Sequence, residues 1–233
     1  MEPKMKKILF VLLTLAMPVF CLAQAVYNPS ISSKPIASLT VTQVVTNETS
    51  TSVTIRIVNT KQLAPFTLRT RDLFIRPVSD PNNLAMIRAD NAPFAPEKHV
   101  FTSLNEAFEF TLVFKPLPKG TKYFDLVENM PKREFYVQGI ILDAKLNELM
   151  NRGFELFSKA DGNGALKAFI EFANADLYFE YGIAYFNIIY LLAQSNRIPE
   201  AQEWYDKFKD RFFYDKKLLE NELGRYGILQ KLK

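Results

Sequence analysis

The chain has 233 residues, 48% of them hydrophobic and 23% charged, enough to bury one large core or two modest ones, which excludes a disordered or fibrous protein. Its formal charge of +4 leans on Lys4, Lys6 and Lys7, opposed there only by Glu2; without residues 1–23 the balance is 26 basic against 24 acidic residues, a net of +2. So even a balance, with no cluster of Lys and Arg, lacks the electrostatic footprint of a nucleic-acid binder or an anionic-membrane binder.

In chain order the first signal is a leader. A basic start is followed by an almost wholly apolar run over residues 8–20, and Cys21-Leu-Ala-Gln-Ala25 then supplies the small residues a signal peptidase needs. Residues 1–23 are therefore expected to be a cleaved signal peptide, with cleavage after Ala23 or Ala25. The run is shorter than the ~20 residues of a membrane-spanning helix, which argues against a retained anchor. Lipidation at Cys21 is not expected, because Phe20 stands where a lipobox needs a small residue. Cys21 is the only cysteine, so the mature chain would enter an oxidising compartment without a disulfide and rely on packing. Its expected location is the periplasm or cell surface.

After a linker at 24–35, residues 36–142 carry period-two alternation. Leu39-Thr-Val-Thr-Gln-Val, Val53-Thr-Ile-Arg-Ile-Val and Phe108-Glu-Phe-Thr-Leu-Val-Phe alternate as half-buried strands do. Further strands are predicted over 66–76, 84–88, 122–127 and 134–142. Turn clusters separate them at Asn47-Glu-Thr-Ser, Ser79-Asp-Pro-Asn-Asn and Pro116-Leu-Pro-Lys-Gly. Short strands at this density predict an antiparallel β-sandwich of immunoglobulin-like size, without the cysteine pair of antibody domains.

Over residues 143–233 the period becomes helical. Leu146, Leu149, Met150, Phe154 and Phe157 share one helix; Asp161-Gly-Asn-Gly breaks the chain before a second at 165–173. Three more are predicted over 177–194, 199–212 and 215–229, the fourth opening on Pro199, where a missing N–H costs nothing. The fold class is thus α+β in two domains, a sandwich followed by an α-hairpin array. The apolar stretch inside 183–194 is too short and too interrupted to span a bilayer, so no transmembrane helix is expected in the mature chain.

Two resemblances follow. Gly164-Ala165-Leu-Lys-Ala-Phe169 and Glu200-Ala201-Gln-Glu-Trp-Tyr205 superpose an alanine and an aromatic four residues on, at an offset of 36. Gly153 lies twelve residues before Ala165. Residues 144–212 therefore resemble two degenerate tetratricopeptide repeats, with 215–229 similar to the cap helix that solvates such arrays. The second unit has Ile189 where the small residue belongs, and neither unit ends in proline. The string from Phe110 to Glu128 resembles a strand and turn of many secreted, mostly uncharacterised proteins of Bacteroidetes-type bacteria, in which a small β-sandwich precedes a variable partner domain, sometimes thioredoxin-like. That resemblance implies location and architecture rather than activity.

The catalytic inventory is narrow. His99 is the only histidine. A zinc site of His and Cys, a Cys-His pair or a Cys-x-x-Cys motif is not available to a single mature chain, and no Gly-x-Ser-x-Gly elbow or phosphate loop is present. Asp161-Gly-Asn163-Gly opens like a calcium loop, but position 172 is Phe where a bidentate Glu is needed, so a tight inter-helix turn is expected. No enzymatic activity and no cofactor are predicted. The function expected is an exported protein-binding or scaffold protein of the cell envelope, whose helical repeat presents a groove to a protein partner. Tyr178, Tyr181, Tyr185 and Trp204 are the candidate groove residues, since amphipathic aromatics favour such surfaces. The alternatives are a glycan binder stacking sugars on Phe94 or Phe101, and a hydrolase with two converged carboxylates.

Overall fold

The structure, a computed structural model, describes residues 24–60, 65–78, 80–130, 134–175, 182–213 and 216–232. The expected leader, residues 1–23, and the expected start of the third helix, residues 177–181, lie outside them.

Eight strands come first: β1 (Gln24–Tyr27), β2 (Leu39–Thr46), β3 (Thr51–Val58), β4 (Leu73–Pro77), β5 (Leu84–Asp90), β6 (Ala107–Phe114), β7 (Tyr123–Glu128) and β8 (Tyr136–Ile141). They form one antiparallel sheet in the order β1-β2-β3-β6-β5-β4-β7-β8. The turn between β2 and β3 is closed by Asn47, whose side-chain oxygen accepts the amides of Thr49 and Ser50, both at 2.9 Å. Alternation then sets the inner face: Val53, Ile55 and Ile57 on β3 face inward with Phe108, Phe110, Leu112 and Phe114 on β6. A register shift between Val41 and Gln43 lets Val41 and Val44 both turn inward despite their odd spacing.

Leu73, Ile75, Phe124, Leu126, Val137 and Ile140, from the other end of the same sheet, join this cluster, so the sheet curls around a single core. The bend is at β5, which pairs with β4 through Leu84 and Ala85 and with β6 through Met86 to Asp90. The open edge of β8 is covered by the chain that follows β1: Ser32 and Ser33 bond to Gln138, and the Ile141 amide donates to the Ser30 carbonyl at 3.1 Å. β1 itself lies in the stretch expected to be linker; four residues of period-two pattern are too few to stand out in the sequence.

Only Leu142 and Asp143 separate β8 from α1 (Ala144–Ser158), and the Asp143 side chain caps that helix by accepting the Leu146 amide at 3.0 Å. α2 (Gly162–Ala175), α3 (Ile183–Gln194), α4 (Ile198–Asp210) and α5 (Lys216–Arg225) follow. The chain is therefore α+β, with a sheet half and a helical half. α1 and α3 stop in the same way. Ala160 and Asn196 adopt positive φ, at 61° and 59°, and the next amide reaches back to Leu156 or Leu192, each at 2.9 Å. These positions are 36 residues apart, as are Ala165 and Ala201, which are both fully buried.

Gly153 on α1 faces Phe169 on α2 so closely that a Cβ there would lie 2.4 Å from the ring. α5 packs back on α3. Tyr123 and Ile141 from the sheet enter the helical core, which joins the halves. Among the described residues no helix is long and apolar enough to cross a membrane. α3 instead buries Ala184, Ile188, Ile189 and Leu192 against its neighbours.

Candidate functional site

α3 is apolar almost all the way round, so its exposed face is defined by what its neighbours leave uncovered. Ile183, Phe186, Asn187 and Tyr190 are the partly exposed positions, and their spacing puts them on one face. Tyr190 links rings from three elements. Its centroid lies 6.2 Å from Phe157 on α1, 6.2 Å from Phe186 on α3 and 5.3 Å from Tyr226 just past α5. Phe186 and Tyr226 are themselves 6.4 Å apart. Phe157 is 45% and Tyr226 49% exposed, so the strip is an accessible aromatic surface crossing α1, α3 and the end of α5. Arg225, ion-paired to Glu222 at 2.6 Å, places its guanidinium 5.4 Å from the Tyr226 ring and gives the strip one charged end.

The residues expected to line a groove stand elsewhere. Tyr185 is 6% exposed and meets Trp204 of α4 edge-on at 5.3 Å, and Phe213 at 5.0 Å. Its hydroxyl accepts a hydrogen bond from Arg211. Trp204 is half-buried in this junction, with the Lys207 ammonium 4.4 Å from its ring. Tyr185 and Trp204 thus meet each other at the α3–α4 seam, away from the exposed strip. Tyr178 and Tyr181 lie outside the described residues. The sequence signal for the strip was the pair Phe186 and Tyr190, four apart on one helix.

One end of this helical face is already occupied by the chain itself. The Ser30 amide donates to Asn147 Oδ1 at 2.7 Å, and Asn151 Nδ2 donates to the Asn28 carbonyl at 3.4 Å. The Ser30 hydroxyl also donates to Asn151 Oδ1. Asn147 is 8% exposed, a buried amide whose oxygen is satisfied by the segment it holds. Where that segment meets Phe154 a small cavity of about 250 Å³ remains, lined also by Pro29 and Ile31.

The other candidate groups have structural occupations. His99 bonds through its backbone to Phe66 in both directions, stacks on Phe108 at 3.9 Å and brings Nε2 to 3.2 Å from Glu106 Oε1. Glu106 Oε2 accepts the Thr102 amide at 2.6 Å, its hydroxyl at 2.8 Å and the Ser103 amide at 3.2 Å. These donors, the Thr102 amide foremost, hold the Glu106 carboxyl below its ordinary range. Phe94 and Phe101 are each 4% exposed, which leaves neither ring free to stack on a sugar. Asp161 caps α2 by accepting the Gly164 amide at 2.8 Å, the tight-turn role expected for it.

The two buried acids lie on β7, three residues apart, and alternation points them to opposite faces. Asp125 accepts the Gly139 amide at 2.9 Å where β8 bulges, with Gly139 at φ 66°, and Arg76 lies 3.6 Å away. Glu128 Oε2 accepts the amides of Glu134 and Phe135, both at 3.1 Å. Among the described residues no three His, Cys, Asp or Glu side chains converge as a metal site requires.

Comparison with known protein families, with curated proteins and with solved structures finds no match for this chain.

Proposed function

We propose that this chain is an exported, non-enzymatic binding or scaffold protein of the bacterial cell envelope, whose helical half presents an aromatic face to a segment of a protein partner. The carrying observation is the strip of Phe157, Phe186, Tyr190 and Tyr226, which stays accessible although most of α3 is buried. Large aromatic side chains lose little conformational freedom on binding and dominate the energetics of protein interfaces. In this reading the helical half is a tetratricopeptide-like array of two units closed by α5, supported by the 36-residue recurrence of Ala165 with Ala201 and of the helix terminations at Ala160 and Asn196. In the same reading the sheet half, one antiparallel sheet curled around its own core, acts as the structural partner of the array. Export is supported by the basic-then-apolar leader.

Selection of linear dodecapeptides from a random display library on the purified mature chain tests the binding reading. Selected peptides should lose at least about tenfold in affinity for Phe186→Ala or Tyr190→Ala, and keep it for Tyr27→Ala, which removes an exposed ring on the sheet. A library that yields no binder, or binders indifferent to both α3 substitutions, would overturn the proposal.

A further inference from the structure

The face of α1 shows how this surface holds a polypeptide, because residues 28–31 of the chain lie across it. Asn147 and Asn151, one helical turn apart, bond to main-chain atoms of that segment, one accepting an amide and the other donating to a carbonyl. A carboxamide can do both at once, and main-chain bonds grip a segment whatever its side chains are. The 36-residue offset that superposes Ala165 on Ala201 also superposes Asn151 on Asn187, Phe154 on Tyr190 and Met150 on Phe186. Asn187 therefore holds the place on α3 that Asn151 holds on α1, but flanked by the exposed strip instead of by the sheet. Its Nδ2 donates to Ile183 O at 2.8 Å, which uses one of its two N–H groups and fixes the amide on the helix face. Among the described residues nothing else bonds to it. One N–H and the Oδ1 lone pairs are left for a ligand.

We infer that Asn187 is a main-chain clamp: a non-helical segment of a partner protein crosses α3 between Phe186 and Tyr190 with its backbone hydrogen-bonded to the Asn187 amide, as residues 28–31 cross α1 at Asn151. The occupant is a polypeptide backbone because the equivalent position already holds one. The segment carries an apolar side chain for the strip, as Pro29 and Ile31 do beside Phe154. This rests on the proposed binding role of the strip and specifies how it binds.

The probes are the dodecapeptides selected on the wild-type chain, titrated against Asn187→Leu, Asn187→Asp and Tyr190→Ala. Asn187→Leu removes both hydrogen-bonding groups, and Asn187→Asp keeps size and acceptors while removing the donor. Each Asn187 variant should weaken binding by about five- to tenfold, the loss of one main-chain hydrogen bond. Leu is a stronger helix former than Asn and Asp is nearly isosteric with it, so both variants keep α3 intact, with the far-ultraviolet spectrum as the check. If Tyr190→Ala weakens binding while both Asn187 variants stay within twofold of wild type, the clamp is refuted and the aromatic strip stands. If all three leave binding unchanged, the strip itself is refuted and the clamp with it.

Discussion

Replacing Gly153 by alanine should destabilise the protein although alanine is the better helix former. Gly153 sits inside α1, where glycine costs up to about 1 kcal/mol relative to alanine, so on propensity alone the change would be a gain. The added Cβ would lie 2.4 Å from Phe169 Cε1, 2.7 Å from Cζ and 2.8 Å from Cδ1. Ordinary contact would need α1 and α2 to separate by about 1 Å, or the ring to turn. Phe169 is fully buried and meets Phe154 edge-on at 5.3 Å, so a turn of its ring disturbs its packed neighbours. Overpacking of this kind costs about 1–3 kcal/mol, and set against the propensity gain the net loss should be about 1–2 kcal/mol. For a chain of this size that lowers Tm by roughly 3–6 °C. The internal control is Gly162→Ala at the start of α2, where the nearest atom to a new Cβ is Leu191 Cδ2 at 3.7 Å; that variant should match wild type or exceed it. Urea titration followed by circular dichroism would read both, with the midpoint shifted and the slope unchanged for Gly153→Ala. Equal stabilisation by both substitutions would refute the close approach of α1 to α2 at Gly153.

Two further outcomes follow from single carboxylates. The Glu106 carboxyl titrates below its ordinary 4.5 because the folded chain donates hydrogen bonds to it, so its contribution to stability is fully present above that value and is lost as pH falls through the lower, folded one; in Glu106→Gln the stability measured by urea titration should fall less steeply across that acid window, and an unchanged acid limb would contradict the assignment. Glu128→Ala should cost about 1–3 kcal/mol by equilibrium unfolding, because the amides of Glu134 and Phe135 lose their acceptor, whereas Glu128→Gln keeps an acceptor oxygen and should cost less; equal losses would show that the charge, not the hydrogen bonds, holds the β7–β8 connection.

The strands with strict alternation could be read from the residues, since Val53, Ile55 and Ile57 admit only one inward face. Their order could not. β3 pairs with β6 and β4 with β7 across long stretches of chain, and nothing local in Thr51–Val58 selects Ala107–Phe114 as its neighbour. The predicted strand over 66–76 shortens to Leu73–Pro77, and Phe66 and Leu68 contribute only isolated bridges to His99 and Phe94. In the helical half the small residues mark tight places, Gly153 against the Phe169 ring and Ala165 and Ala201 with no exposed surface. The exposed face was not readable for the opposite reason. Tyr185 and Phe186 are adjacent and chemically alike, yet one is 6% exposed and the other faces the strip. Only the packing of α2, α4 and α5 around α3 decides between them, and a helix apolar almost all round carries no mark of that choice.

The same packing explains why so short a run of helices needs the sheet. A helical hairpin buries one side on the next hairpin and leaves its outermost helix open, so short arrays need caps at both ends. At the far end α5 packs on α3. At the near end Tyr123 and Ile141 enter the helical core, and residues 28–31 bond to Asn147 and Asn151. Only Leu142 and Asp143 connect β8 to α1 across this junction. The segment that closes this end thus also covers α1 at Asn147 and Asn151. Of α3 itself, what stays accessible among its aromatics is the side of Phe186 and Tyr190, from which the strip runs to Phe157 on one flank and to Tyr226 on the other.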